Sequence, residues 1–448
     1  MTGVPNACVQ VHFVHSPRLP LGPSGRTSQK TTKAVHFYTA EAGVPDRQGG
    51  TFLHRRLQAQ EQNIAIILID TEGEYCALHE PTEKEEMLQA LRWRDMKPAG
   101  VENTHVYHLV GRETANPKHP RVADFSLRFC ELSPHAVKEI LDLNEAQEQR
   151  FIKAYDITKQ AMEQLKIWPS TPEERAQFLE LDELEEGYPK MTLGHLYDVV
   201  KQIAAIVGND PDPSLEVREF SNKRDVLKRI INGASVPGNK YSWFVLIGKL
   251  SKIHRLKIFD SKKAKPFDYS QLLQAGRVSI LDLSDTDSPE IRNLVIAELL
   301  RGVQLQQEQY YKKAVQKNLQ PTPALVFIEE AHEFLSAQRI RKMEVLFQQV
   351  ARIARRGRKR WLGLVFITQL PQHLPDEVMG LINNWVLHKI SDAGVVSRLK
   401  RSIGGINEAL WRSLPSLAPG QAIVSFTTHA RPLQISVDPT PCRLLMVE

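Results

Sequence analysis

Two adjacent carboxylates, Glu329 and Glu330, close the apolar run Leu325-Val-Phe-Ile328, and a second apolar run, Leu364-Val-Phe-Ile367, closes on Thr368 and Gln369. A helix-length gap separates the runs. The pattern reads as strand, helix, strand with polar groups at the strand exits, where ligands sit in a parallel α/β sheet. Hydrolysis of a nucleoside triphosphate needs a carboxylate that holds Mg²⁺ through water, a group that orients or deprotonates the attacking water, and cations on the γ-phosphate. Adjacent residues at a strand end diverge, so Glu329 and Glu330 can supply the first two separately. Gln369, at the neighbouring exit, can hydrogen-bond the γ-phosphate or the water as a sensor. Together these residues read as the hydrolytic half of an ATPase site.

Other readings of the same residues are weaker. Carboxylates suit a helix N-terminus, so the pair could simply cap the helix beginning near Ala331; the glutamine at the matching exit exceeds what capping requires. His332-Glu333 would open a zinc-protease His-Glu-x-x-His motif only if position 336 were histidine, and it is Ser336. The fifteen histidines form no ligand spacing, and surface or core roles are expected for each. Between Arg352 and Arg360 six of nine residues are cationic, which fits either a solvated helix end or a functional cluster.

The elements that must position these residues belong to a soluble-type α/β chain. Its 448 residues suggest two or three domains, and 42% hydrophobic with 25% charged residues is ordinary for a globular protein. No run of about 18 apolar residues occurs, so no membrane partner is expected. Cys8, Cys76, Cys130 and Cys442 form no Cys-x-x-Cys pair, which argues for a reducing, cytoplasmic setting. The net charge of +6 permits nucleic-acid binding without establishing it.

Residues 1–50 lack periodicity and are expected to be an irregular leader; their basic, acid-poor composition also loosely resembles a transit peptide. Residues 51–132 form the first part of the expected core, with helix-forming composition over 51–62 and strands over 63–70, 105–110 and 123–129. Residues 133–270 read as a helical insertion, and residues 271–448 as the second part of the core. There, strands are expected over 277–284, 324–328, 362–368, 385–390, 421–426 and 433–437, with a long helix over 290–315. Met343, Leu346, Phe347, Val350, Ile353 and Ala354 recur at helical spacing. One amphipathic helix should therefore join two parallel strands, either adjacent or with one strand between.

The order of motifs resembles the HerA branch of the HerA/FtsK superfamily of hexameric DNA-translocating ATPases. The matching segments are Ile69-Asp-Thr-Glu-Gly-Glu-Tyr75, Val278-Ser-Ile-Leu-Asp-Leu-Ser284, Ile328-Glu-Glu-Ala-His332, Ile353-Ala-Arg-Arg-Gly-Arg-Lys359 and Ile367-Thr-Gln-Leu-Pro371. The series continues through residues 392–404 and Leu414-Pro-Ser-Leu-Ala-Pro-Gly-Gln-Ala422. Each is weak alone, and seven in order are specific. The resemblance implies an α/β, RecA-like (P-loop NTPase) core with a largely parallel sheet. It implies ATP and Mg²⁺ as cofactors, duplex DNA as partner, self-assembly into a homo-hexamer, and a nuclease partner in DNA-end processing or defence. It places Glu329 at the Mg²⁺-associated position, Glu330 at the catalytic glutamate, Gln369 at the sensor and Asp70 near the nucleotide. Arg355 matches best the arginine that reaches a neighbouring subunit's ATP site, with Arg356 and Arg358 close enough to dispute that role.

Two departures stand against it. A phosphate loop needs Gly-x-x-x-x-Gly-Lys-Ser/Thr, whose amides and lysine hold the phosphates. Roughly twenty residues before Asp70, where Gly43-Val-Pro-Asp-Arg-Gln-Gly-Gly-Thr51 stands, Gly49 and Thr51 fit but Gly50 replaces the lysine. Thr51 would be the hydroxyl ligand beside Mg²⁺. Lys30-Thr31 follows Gln29 and lies too far from Asp70. The family's amino-terminal β-barrel has no counterpart either. Both departures would follow if the encoded chain begins inside or just after the phosphate loop. A catalytically impaired ring component or scaffold, or a truncated gene product, is therefore the alternative to a working motor.

Overall fold

The computed structural model describes residues 10–13, 64–180, 187–209, 215–286, 288–319, 321–342, 344–427 and 429–445. Ten strands form one sheet: β1 (Gln10–Phe13), β2 (Ala65–Asp70), β3 (Thr104–Leu109), β4 (Val122–Phe125), β5 (Val278–Asp282), β6 (Ala324–Ile328), β7 (Leu362–Thr368), β8 (Asn384–Leu387), β9 (Gln421–Ser425) and β10 (Leu433–Ser436). Their order is β10-β9-β8-β1-β7-β6-β2-β5-β3-β4. The six strands from β7 to β4 are all parallel, and β1, β8, β9 and β10 join antiparallel neighbours. The chain is thus mixed α/β with a largely parallel sheet. β6 and β7 are adjacent, which resolves the two spacings the sequence allowed.

The central strands are apolar on both faces because both faces are covered. In β2, Ala65, Ile67 and Ile69 pack against the helices, while Ile66 and Leu68 pack with Tyr75, Cys76 and Leu78 on the other side. The C-terminal stretch also closes that second face. Thr82 and Ala99 donate their N–H groups to Pro441 O at 3.0 and 2.9 Å, and Arg443 meets Glu80 at 2.6 Å.

Between β4 and β5 the chain is helical. The longer helices are α1 (Glu145–Gln164), α2 (Leu193–Gly208), α3 (Arg224–Gly233) and α4 (Lys240–Leu256). Asn144 and Thr192 start α1 and α2 with capping boxes, satisfying N–H groups the helix cannot. The segment rejoins the sheet beside β4 through bridges Leu127↔Phe259 and Ser126↔Pro266. A long helix, α5 (Pro289–Gln316), then returns the chain to β6.

Two sequence expectations need correction. The β6–β7 connection is not one unbroken helix: the turn His332–Leu335 is set off from the helical stretches Ala337–Lys342 and α6 (Glu344–Arg356), because Ser336 takes an extended conformation (ψ 152°). Within the stretch read as an irregular leader, Gln10–Phe13 forms a strand between β7 and β8. Four residues are too few to register as a period.

Gly302 marks a close approach inside the helical layer. A Cβ there would run into the ring of Tyr269, whose hydroxyl donates to buried Glu298 at 3.2 Å. Gly302→Ala is expected to cost about 2 kcal/mol in urea unfolding through overpacking. An unchanged midpoint would show that the ring simply swings aside.

Candidate functional site

Parallel alignment brings the exits of β5, β2, β6 and β7 to one edge of the sheet. Register pairs Asp70 with Asp282 and Ile69 with Ile328, so the carboxylates that follow stand side by side. Past β6 the chain threads between its neighbours. Glu329 N–H donates to Ile69 O at 3.3 Å and Ala331 N–H to Ile367 O at 2.9 Å.

Asp70 is fully buried and organises its own turn. Its Oδ1 accepts from the N–H groups of Gly73 (2.7 Å) and Glu74 (3.2 Å), and Oδ2 from Tyr75 (2.9 Å). The turn depends on Gly73 at φ 81°, where a side chain would be strained and would press on Ala115. Burial, then the charge of Asp282, pushes the Asp70 carboxyl up to about 6 against those hydrogen bonds. Asp282 is itself held by Thr114 Oγ1 and Ala115 N–H, both at 2.7 Å, and by Ser284 Oγ at 2.6 Å.

Glu329 points inward beside Asp70. Burial raises its carboxyl well above the ordinary value, reinforced by the charges of Asp70 and Glu74 and by a hydrogen bond with Asp70. Its Oε2 is buried with no hydrogen-bond partner among the described residues. Glu330 diverges because its backbone sits in the left-handed region, at φ 45°, a conformation non-glycine residues adopt at a cost. Its side chain is 16% exposed, with Oε2 3.0 Å from Nδ1 of His332. The same Nδ1 is hydrogen-bonded to Thr368 Oγ1 at 3.0 Å, and that oxygen also accepts the Leu370 N–H at 3.1 Å. His332 thus stands between the Glu330 carboxylate, whose Oε2 makes no hydrogen bond among the described residues, and the residue just before Gln369, which is exposed at the β7 exit.

The rim of this edge is acidic. Glu74 is pushed up to about 7, first by burial and then by Asp70, Glu72 and Glu330. A carboxyl whose folded pKa is raised contributes stability that is full below its unfolded value, 4.5, and is lost as pH rises through about 7. Glu74→Gln is therefore expected to stabilise the chain by on the order of 2 kcal/mol at alkaline pH, with the gain shrinking toward zero near pH 5. Urea unfolding at both pH values measures this; an equal gain at both would contradict the electrostatic cause. Arg292 is a cation at this rim, 3.1 Å from Glu333 and anchored on Thr286 O.

The remaining expected site residues lie elsewhere. Arg355 and Arg356 are exposed at the end of α6, and Arg358 follows in the turn Gly357–Arg360. That turn leads into the start of β7, so these arginines occupy the opposite edge of the sheet from Glu330, a strand length of about 20 Å away. Gly49, Gly50 and Thr51 lie outside the described residues.

Three participants are not evident from the sequence. Asp282 lies in a strand motif with no role of its own there, and its only signal is an acid at a strand exit matching Asp70. His332 falls among histidines expected at the surface or in the core, although its position two residues beyond Glu330 is a clue. Glu74 looks like one more turn residue.

The family described as "Helicase HerA, central domain" matches residues 51–303, a span that ends before β6. Among curated proteins, the DNA double-strand break repair helicase HerA of Saccharolobus solfataricus is 27% identical over 178 residues, 40% of this chain and 34% of that protein. The probable HerA of Methanocaldococcus jannaschii is 22% identical over 221 residues, 44% and 43% of the two chains. The chain thus spans a third to under a half of the length of these relatives. Among solved structures, VirB4 of Thermoanaerobacter pseudethanolicus aligns with TM-score 0.45 at 12% identity over 87% of this chain and 86% of its own. Plasmid coupling protein TrwB with GDPNP aligns with TM-score 0.43 at 13% identity over 98% and 96%.

Proposed function

Because the chain belongs to the HerA helicase family through its central domain, we propose that it is a ring-forming ATPase that couples ATP hydrolysis to movement along duplex DNA. The observation that carries this reading is the divergence of Glu329 and Glu330 at the β6 exit. One carboxylate is buried on Asp70; the other is turned by a left-handed residue toward His332, which is hydrogen-bonded to Thr368.

In this proposal Glu330 takes the proton of the attacking water, and Gln369 orients that water or the γ-phosphate. His332, hydrogen-bonded to Thr368, stands beside the Glu330 carboxylate at the β7 exit. Asp70 shapes the turn at residues 71–75 beside the nucleotide and supports Glu329. The orphaned Oε2 of Glu329 fits an Mg²⁺ held through water. The ion would neutralise charge on the phosphates, with Thr51 as its hydroxyl ligand. Gly49, Gly50 and Thr51 are the proposed phosphate-side residues. Arg355 is the proposed arginine supplied to a neighbouring subunit, with Arg356 and Arg358 as its rivals. The proposed partners are duplex DNA, further copies of this chain in a hexamer, and a nuclease in DNA-end processing or defence.

Gly50 at the lysine position favours a second reading, an impaired ring component or scaffold. Loss of that lysine removes several kcal/mol of charge stabilisation. ATP turnover of the full chain with and without duplex DNA separates the two. DNA-stimulated turnover supports the motor, and none, with rings still seen by light scattering, supports the scaffold.

A further inference from the structure

We propose that the helical segment between β4 and β5 carries a second binding surface for the phosphate backbone of duplex nucleic acid, built on residues other than those of the carboxylate site; this rests on the DNA reading above. Between Arg218 and Lys265 the chain has thirteen Lys and Arg against three Asp and Glu, a net +10 in a chain whose total is +6. The charge is displayed rather than used internally. α3 turns Leu227, Ile230 and Ile231 inward and leaves Lys228 and Arg229 exposed. α4 buries Trp243, Leu246, Leu250 and Ile253 and leaves Lys252 and Arg255 exposed. Lys262 and Lys263 follow, exposed, in the loop that returns to β4. None of these six has a carboxylate within ion-pair distance among the described residues.

A cavity of about 370 Å³, lined by Tyr197, Lys201, Arg218, Glu219 and His254 among others, joins the approach to α3 with the end of α4. Lys201 is neutralised there by Asp198 at 3.0 Å, both nearly fully buried, so the free charge lies outside the cavity. Unpaired cations gathered on one segment repel one another, and a polyanion relieves that repulsion. The spread of charge favours phosphates over other anionic partners. α4 extends about 25 Å, and its exposed apolar side chains, Tyr241 and Val245, stand at the end away from Lys252 and Arg255. A protein interface would need an apolar or aromatic centre among the charges, and a membrane surface an exposed apolar row.

The test uses the full chain, a short fluorescein-labelled duplex and a salt series read by anisotropy. A variant with Lys228→Ala, Arg229→Ala, Arg255→Ala, Lys262→Ala and Lys263→Ala is expected to bind roughly 10-fold or more weakly, with a salt slope shallower by about 0.9 for each phosphate no longer neutralised. A control with Lys312→Ala, Lys313→Ala and Lys317→Ala, exposed at the end of α5, should bind nearly as tightly as the unaltered chain. The pairs Lys228/Arg229 and Lys262/Lys263 changed separately keep the test valid if the fivefold variant unfolds. Duplex binding that neither the fivefold variant nor the pairs weaken overturns this surface and leaves the motor reading standing. An equal weakening per charge in the control overturns it as well. No duplex binding by the unaltered chain defeats both proposals. Tighter binding to phosphatidylserine vesicles than to duplex reassigns the surface to membranes and overturns the proposal.

Discussion

Glu330→Gln is expected to lower ATP turnover by roughly 10²–10⁴-fold, the usual contribution of a positioned general base, while nucleotide affinity stays near that of the unaltered chain. Glutamine keeps the shape and the left-handed backbone position but cannot accept the water's proton. Its amide can still stand beside His332, whose hydrogen bond to Thr368 is left as it is. Glu329→Gln should behave differently. That carboxylate is the one proposed to hold Mg²⁺ through water, so glutamine removes its charge toward the ion and the effect should appear mainly as a higher Mg²⁺ requirement. Turnover within about twofold of the unaltered chain in Glu330→Gln would remove Glu330 from the reaction.

Arg355→Ala is expected to reduce turnover by roughly 10³–10⁵-fold, the range for an arginine that stabilises phosphoryl-transfer charge from a neighbour. The geometry makes this specific, because Arg355 and Glu330 lie at opposite edges of the same sheet and cannot meet within one chain. Mixing Arg355→Ala chains with Glu330→Gln chains should therefore restore activity. Random mixed rings place an intact Glu330 against an intact Arg355 at about a quarter of their interfaces. A mixture as inactive as either parent would exclude supply between subunits. If Arg356→Ala rather than Arg355→Ala gives the loss and the rescue, the role moves by one residue.

The chemistry-bearing strands were legible because burial on both faces leaves an uninterrupted apolar run and an abrupt polar exit, as at Ile328–Glu329 and Thr368–Gln369. The helical character between β4 and β5 was legible from the same kind of local pattern. What sequence could not supply were properties created by contact across the sheet. The positive φ of Glu330, the pairing of Asp70 with Asp282, and the placement of His332 on Thr368 each depend on strands more than thirty residues apart in sequence meeting in register. The break at Ser336 was hidden for a related reason. Apolar spacing on either side of it suited a single helix, and the packing of Phe334 and Leu335 overrode that spacing.

The separation of Arg355 from Glu330 along the β6–β7 unit also constrains symmetry. If the arginine acts between subunits, two arrangements can seat it. An antiparallel two-fold pair would join both edges reciprocally, residue i meeting j and j meeting i, and would complete both sites at once. A head-to-tail contact would instead join two different surfaces and close into a ring or run on as a helical filament, the rotation per contact deciding which. In the head-to-tail case an isolated pair of chains would hold one completed site and one left open, so the number of working sites in a dimer tells the two apart.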